Sequence, residues 1–313
     1  MTFNPRVRIR DDPRHHQYDG IIAALGYEAR ATYIAQHVTA AREHRLALSF
    51  ESRGVLSFDK NEQLFVELGY VLSPLSHQEW VASVTDFLTS ISAPIDGVPR
   101  IAIDISCLTR FHLATLVEAL ASLPESSAVS VDFLYAPASS DEWINEPVVI
   151  QVAEPVHPAF VSWSDDPSWP LTAIIGVGAE DTLALGVAEY LDVAAVYAYA
   201  PYGLDAKFDS LSEKANRQFF VEDYLVRRSE YNVLQPFELF ARLESLVYGL
   251  SEESRIAIVP LGPKVFALCA LLVATSSSDA VTIWRFSSGS SHTPVERWAA
   301  EAIVSLRVEF NLS

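Results

Sequence analysis

The residues best equipped for chemistry follow two short apolar runs that begin alike. Arg100-Ile-Ala-Ile continues as Asp104-Ile-Ser-Cys-Leu-Thr-Arg110, whereas Arg255-Ile-Ala-Ile, 155 residues further on, continues as Val-Pro-Leu-Gly-Pro-Lys264. The first continuation gathers a carboxylate (Asp104), a hydroxyl (Ser106), a thiol (Cys107) and a guanidinium (Arg110). A thiol entering a helix N-terminus is a candidate nucleophile. Its base must come from elsewhere, and His112 is the nearest histidine. The second copy has Gly262 in place of Cys107, so the shared pattern does not need the sulfur, and a free cysteine also packs as a small hydrophobe. Asp104 and Arg110 read either as ligand contacts or as a structural salt bridge.

The second continuation has different chemistry. Gly262 permits close backbone approach, Pro263 suits a first helical turn, and Lys264 adds a positive charge at a helix N-terminus. A lysine beside that positive dipole end is unfavourable unless an anion sits nearby, which points to a phosphate or carboxylate ligand. The alternative is a solvated lysine on a tight turn.

A second pair of loops repeats at a distance of 152 residues, Gly26-Tyr-Glu28-Ala-Arg30 and Gly178-Ala-Glu180. Glu28 and Glu180 share a position, where a carboxylate can accept from a ribose hydroxyl, act as a general base, or simply favour a helix N-terminus. Gly176-Val-Gly178 opens like a dinucleotide fingerprint, but position 181, where the third glycine belongs, is Asp181. Ordinary NAD binding is therefore not expected, although glycines at such a turn still present amides to an anion. The catalytic candidates are Glu28, Asp104 and Cys107. The ligand-binding candidates are Arg30, Ser106, Arg110, Gly178, Glu180, Gly262 and Lys264. No cofactor is identified, and no Cys/His spacing reads as a metal site.

The elements needed to hold these loops are legible as α/β alternation. Runs at 19–25, 46–50, 100–105 and 128–136 read as strands, with helical composition at 31–42, 61–68, 78–91 and 108–122. The pattern then restarts. Asn216-Arg-Gln-Phe-Phe-Val-Glu222 matches Asn61-Glu-Gln-Leu-Phe-Val-Glu67 at five of seven positions, and residues 280–286 answer 128–134. Four ordered matches predict an internal duplication: two tandem Rossmann-like lobes with mostly parallel sheets flanked by helices. The expected boundaries are an N-terminal arm at 1–18, lobe one at 19–153, a Pro/Trp-rich crossing at 154–170, and lobe two at 171–313 with a C-terminal helix. The polar identities Asn61/Asn216 suggest a contact between lobes, the alternative being a ligand-facing helix.

Composition bounds the function. Of 313 residues, 22 are Lys or Arg and 40 Asp or Glu, a net charge of −18 that argues against a broad nucleic-acid surface. The longest apolar run, Val265 to Ala274, is too short to span a membrane, and the first residues lack a signal-peptide core. A soluble cytoplasmic protein is expected. The layout resembles the tandem Rossmann-like nucleotide sensors of prokaryotic signalling and defence systems, which implies a sensor acting with a protein partner or as a homodimer. The expected function is binding of a small anionic ligand, a nucleotide or another phosphorylated metabolite. The alternatives are a hydrolase or transferase acting on a nucleotide or phosphorylated sugar, and a non-catalytic scaffold subunit.

Overall fold

Strands built from unbroken runs of Ile, Ala, Val and Leu need cover on both faces, which is the situation of a parallel sheet between helices. The computed structural model describes residues 5–8, 12–50, 54–73, 77–91, 97–124, 127–139, 149–162, 166–277, 281–289 and 293–311. They form two compact units, the first within 4–142 and 293–313, the second within 143–292.

In the first unit the strands are β1 (Arg6–Arg8), β2 (Gln17–Tyr18), β3 (Gly20–Leu25), β4 (Thr39–Ala40), β5 (Arg45–Ser49), β6 (Val71–Leu72), β7 (Arg100–Asp104) and β8 (Val129–Tyr135), with β15 (Val304–Phe310) returning from the end of the chain. Its main sheet has the order β1-β15-β8-β7-β3-β5-β6. The five strands from β8 to β6 run parallel, and β15 lies antiparallel to β8. Every residue of β3 and β8 is buried. The helices are α1 (Tyr33–His37), α2 (Phe58–Glu67), α3 (His77–Ser90) and α4 (Arg110–Ala121). Leu113, Leu116, Val117 and Leu120 of α4 recur at helical spacing and are buried.

The second unit holds β9 (Val152–Pro155), β10 (Leu171–Gly176), β11 (Ala195–Tyr202), β12 (Leu225–Asn232), β13 (Arg255–Pro260) and β14 (Val281–Ser287), in the order β12-β11-β10-β13-β14-β9. All run parallel except β9, which is antiparallel to β14. Its helices are α5 (Leu183–Leu191), α6 (Ala206–Ala215), α7 (Pro236–Leu250) and α8 (Lys264–Ser276). Residues Val265 to Ala274 of α8 are all buried, as expected of a helix apolar on every side. Each sheet therefore has its first long strand in the middle, the next two stepping outward on one side, and the following two on the other. The ladders between the central pairs also correspond: Gly20, Ile21 and Ile22 face Ile101, Ala102 and Ile103, as Thr172, Ala173 and Ile174 face Ile256, Ala257 and Ile258.

Two local expectations are corrected. The helix predicted over 31–42 ends at His37, where Val38 turns extended and Thr39–Ala40 pairs with β2. A β-branched pair at Val38-Thr39 favours that exit. Residues 294–313 are expected to form a terminal helix followed by a last strand at 306–310; the described residues there form no helix, and the strand is β15, whose Val304, Leu306, Val308 and Phe310 are buried in strict alternation. That is a strand period, and β15 belongs to the first sheet rather than the second. The stretch at 154–170 contributes β9 to the second sheet, buries Val156 and Phe160, and ties Ser162 to Thr282 through reciprocal bonds. Trp163 and Val148 lie outside the described residues.

Ending the chain at Ile303 removes four buried apolar side chains from the first sheet, each contributing about 1.5–3 kcal/mol of burial. Hydrogen exchange on such a truncation should show lost protection in Val129–Tyr135, with β10 and β13 of the second unit retaining theirs.

Candidate functional site

In a parallel sheet, side chains converge beyond the carboxyl ends of neighbouring strands. In the first unit these ends are those of β3 and β7. Asp104 is buried at the end of β7, and its Oδ1 accepts from the Ser106 amide at 2.8 Å. Ser106 is also buried, and its Oγ accepts from the Ala136 amide at 2.8 Å, beside the Ile105 amide bond to Leu134 O. These bonds bracket the ends of β7 and β8 together. Cys107 is half-buried and packs on the β3 exit: a Cβ on Gly26 would lie 3.3 Å from the Cys107 Cβ.

Glu28 sits where β3 gives way to a 3-10 turn, and its side chain does not cap that turn. Its Oε2 accepts from Arg30 Nε at 2.6 Å and its Oε1 from Arg297 Nη1 at 2.9 Å, with Cys107 Sγ 3.9 Å from Oε2. Arg30 is buried and also donates to Ala136 O at 2.9 Å. Burial opposes the charge on Arg30, but the adjacent Glu28 carboxylate outweighs it and holds the guanidinium above its ordinary range. The amide following Glu28, that of Ala29, donates to Glu296 Oε1 at 2.6 Å, and Ser57 Oγ donates to Glu296 Oε2 at 2.6 Å. The Glu296 segment runs along the loop through Arg30 N to Arg297 O, Ser139 N to Trp298 O and Ala300 N to Pro137 O.

Arg110 is half-buried as the first residue of α4, behind the N-cap Thr109. Thr109 Oγ1 accepts from the His112 amide and shares a 2.7 Å hydrogen bond with His112 Nδ1. The His112 ring packs beside Phe50 and Trp80, with centroids at 4.7 and 5.1 Å. His112 is thereby fixed as part of a helix cap and an aromatic cluster.

In the second unit the ends of β10 and β13 bring Gly176–Glu180 beside Leu261–Lys264. Leu261 N and Gly262 N both donate to Gly176 O. A Cβ on Gly262 would lie 2.2 Å from Val177 O, and one on Gly178 would lie 2.1 Å from Glu180 Oε2. Glycine at 262 is therefore required for the two loops to touch. Lys264 is the first residue of α8, which has no acidic residue in its first turn and no side-chain N-cap bond. The structure thus groups Glu28, Arg30 and Cys107 with the Asp104–Ser106 bracket in one unit, and Gly178, Glu180, Gly262 and Lys264 in the other. Among the described residues, no group of three His, Cys, Asp or Glu side chains is placed to hold a metal ion, and no helix is long and apolar enough to cross a membrane.

Asn61 and Asn216 have a role inside their own units. Asn61 Nδ2 donates to Gly26 O and Glu28 O, both at 2.9 Å, and Asn216 Nδ2 donates to Gly178 O at 2.8 Å. Both are buried. Each pins the glycine carbonyl at the exit of its central strand, with Ser212 Oγ adding a second donor to Gly178 O. Their repetition in the sequence marks them; their partners do not follow from it. Comparison with protein-family models and with curated proteins finds no match.

Replacing Asn61 by Ala leaves two buried carbonyls without this donor and should cost about 1–3 kcal/mol in urea unfolding, against under ~0.5 kcal/mol for the exposed neighbour Gln63→Ala. Native-state alkylation supplies a separate check. Cys269 is fully buried, and burial pushes its thiol above the ordinary range, so iodoacetamide should label the half-buried Cys107 and leave Cys269 unmodified until the fold opens.

Proposed function

We propose that the two units are diverged copies of one Rossmann-like α/β unit, and that the protein binds a small anionic ligand at the second unit's loops. The ligand is a nucleotide or another phosphorylated metabolite, and the protein acts as a sensor or binding subunit with a protein partner. The matching strand order, the matching central ladders and the Asn61/Asn216 pair support the duplication.

The observation that carries the binding site is the setting of Lys264. It begins a 13-residue helix that is buried almost throughout, so water screens the helix dipole poorly along its length. The amide end of that helix, the Lys264 charge and the adjoining Gly178 loop together favour an anion. The first unit's corresponding loop is occupied from within: Glu296 takes the Ala29 amide and Ser57 hydroxyl, and Arg297 takes Glu28. Binding fits this arrangement better than catalysis, because Glu28, Asp104 and Ser106 are committed to buried bonds.

A thermal-shift panel of nucleoside phosphates and sugar phosphates tests the reading. A true ligand at roughly 100-fold its Kd adds about 2.7 kcal/mol to the unit that binds it. Lys264→Ala should abolish the shift, while Arg30→Lys in the first unit should preserve it. If no compound in the panel shifts the parent protein, the proposal fails.

A further inference from the structure

Each sheet is completed by a strand from elsewhere in the sequence. β9 follows β8 in the chain yet pairs with β14, and β15 follows β14 yet pairs with β8. The two ladders share a register. Tyr135 faces Val304 and Ser287 faces Val152, and moving 152 residues forward from Tyr135 and 152 back from Val304 turns the first pair into the second. By backbone geometry alone, β9 could therefore stand beside β8, and β15 beside β14.

Charge separates the two arrangements. In the first ladder Asp132 faces Arg307 and Phe133 faces Leu306. Asp132 is fully buried and accepts from Arg307 Nε at 2.9 Å, Arg307 Nη2 at 3.3 Å and Tyr18 Oη at 2.7 Å. In the second ladder the same positions are Trp284 facing Pro155 and Arg285 facing Glu154, and the Arg285 guanidinium pairs with Glu154 through Nε at 3.0 Å. Exchanging the strands at this register would set Asp132 against Pro155, which brings neither charge nor N–H, and the buried Phe133 against Glu154. The second sheet would receive Leu306 against Arg285 and Arg307 against Trp284. The apolar residues of β15 favour burial in either sheet; the ionic positions do not.

We propose that the Asp132–Arg307 and Glu154–Arg285 pairs are a matched address that assigns β15 to the first sheet and β9 to the second. Asp132–Arg307 is the buried pair of the two and Glu154–Arg285 the exposed one; a buried ion pair adds little stability over an apolar replacement, and its best-attested use is to specify register or partner. Here its effect is exclusion: the wrong strand leaves a buried carboxylate with the Tyr18 hydroxyl but without its arginine. The first unit's outer edge at β8 is thus an acceptor selective for a strand carrying arginine at the fourth position of the seven-residue segment Val304–Phe310. The inference rests on reading the two units as copies, but not on any ligand.

Directly opposed strand residues lie close enough for disulfide trapping. The full chain is prepared with Tyr135→Cys and Val304→Cys to report the observed pairing, and with Tyr135→Cys and Val152→Cys to report the alternative. Links are identified by peptide mass mapping after mild oxidation. With the address intact, the 135–304 link should form and the 135–152 link should not. In Asp132→Leu/Arg307→Leu, the 135–152 link should rise roughly tenfold or more. Should that variant fail to fold, Pro155→Arg/Arg307→Leu moves the arginine onto β9 and should draw it to β8, giving the same link. If neither variant yields the 135–152 link, the address is overturned. The readout needs no ligand, so its failure leaves the anion site standing, and failure of the thermal-shift panel leaves the address standing.

Discussion

A parallel sheet ends badly. Its last strand presents a row of unpaired N–H and C=O groups, and here the fifth parallel strand of each sheet is also buried or half-buried along its length. One antiparallel strand beyond it satisfies those groups and covers the apolar edge. β15 does this for β8 and β9 for β14. On the way into β15, residues 297–300 run along the loops of the first unit. That passage places Glu296 on the Ala29 amide and Arg297 on Glu28.

The consequence is an asymmetry in what the strand-end loops can do. Just beyond each central strand a glycine, Gly26 or Gly178, has its carbonyl pinned by a buried asparagine, so the two loops start alike. In the first unit the return passage then supplies a carboxylate and a guanidinium, and the buried Arg30 is neutralised by Glu28 without any external anion. In the second unit the turn is closed by backbone contact between Gly262 and Val177, which leaves charge to Lys264 at the start of a buried helix. The internal arrangement in the first unit satisfies its own charges.

How much of this the sequence displays depends on range. Apolar runs such as Ile21 to Leu25 and Ile101 to Ile103 declare buried strands by composition alone, and the Arg-Ile-Ala-Ile repeat locates equivalent elements. The asparagines were visible as a repeat, but a side-chain bond to a carbonyl 35 or 38 residues away has no local signature. Glu296 is harder still, since its partner Ala29 is 267 residues distant and nothing in Pro294-Val-Glu-Arg297 marks it. The alternation of Val304, Leu306, Val308 and Phe310 signals a strand, yet period two says nothing of which sheet receives it. At Gly262 the close backbone approach that a glycine permits is made by Val177 O, a partner 85 residues away that the sequence does not mark.

The same distinction explains why charges carry the information that hydrophobicity cannot. Two sheets with the same strand order and corresponding apolar cores offer nearly equivalent edges, and an apolar strand gains by burial on either. Discrimination then requires a penalty for the wrong choice, and a fully buried carboxylate is a severe one because its desolvation is compensated only when donors arrive in the right place. Asp132 receives them from Arg307 and Tyr18, the first from the returning strand and the second from the unit that awaits it. The position costs little when correctly filled and much when not. That is the property needed where two halves of one chain must each accept a strand without taking the other's.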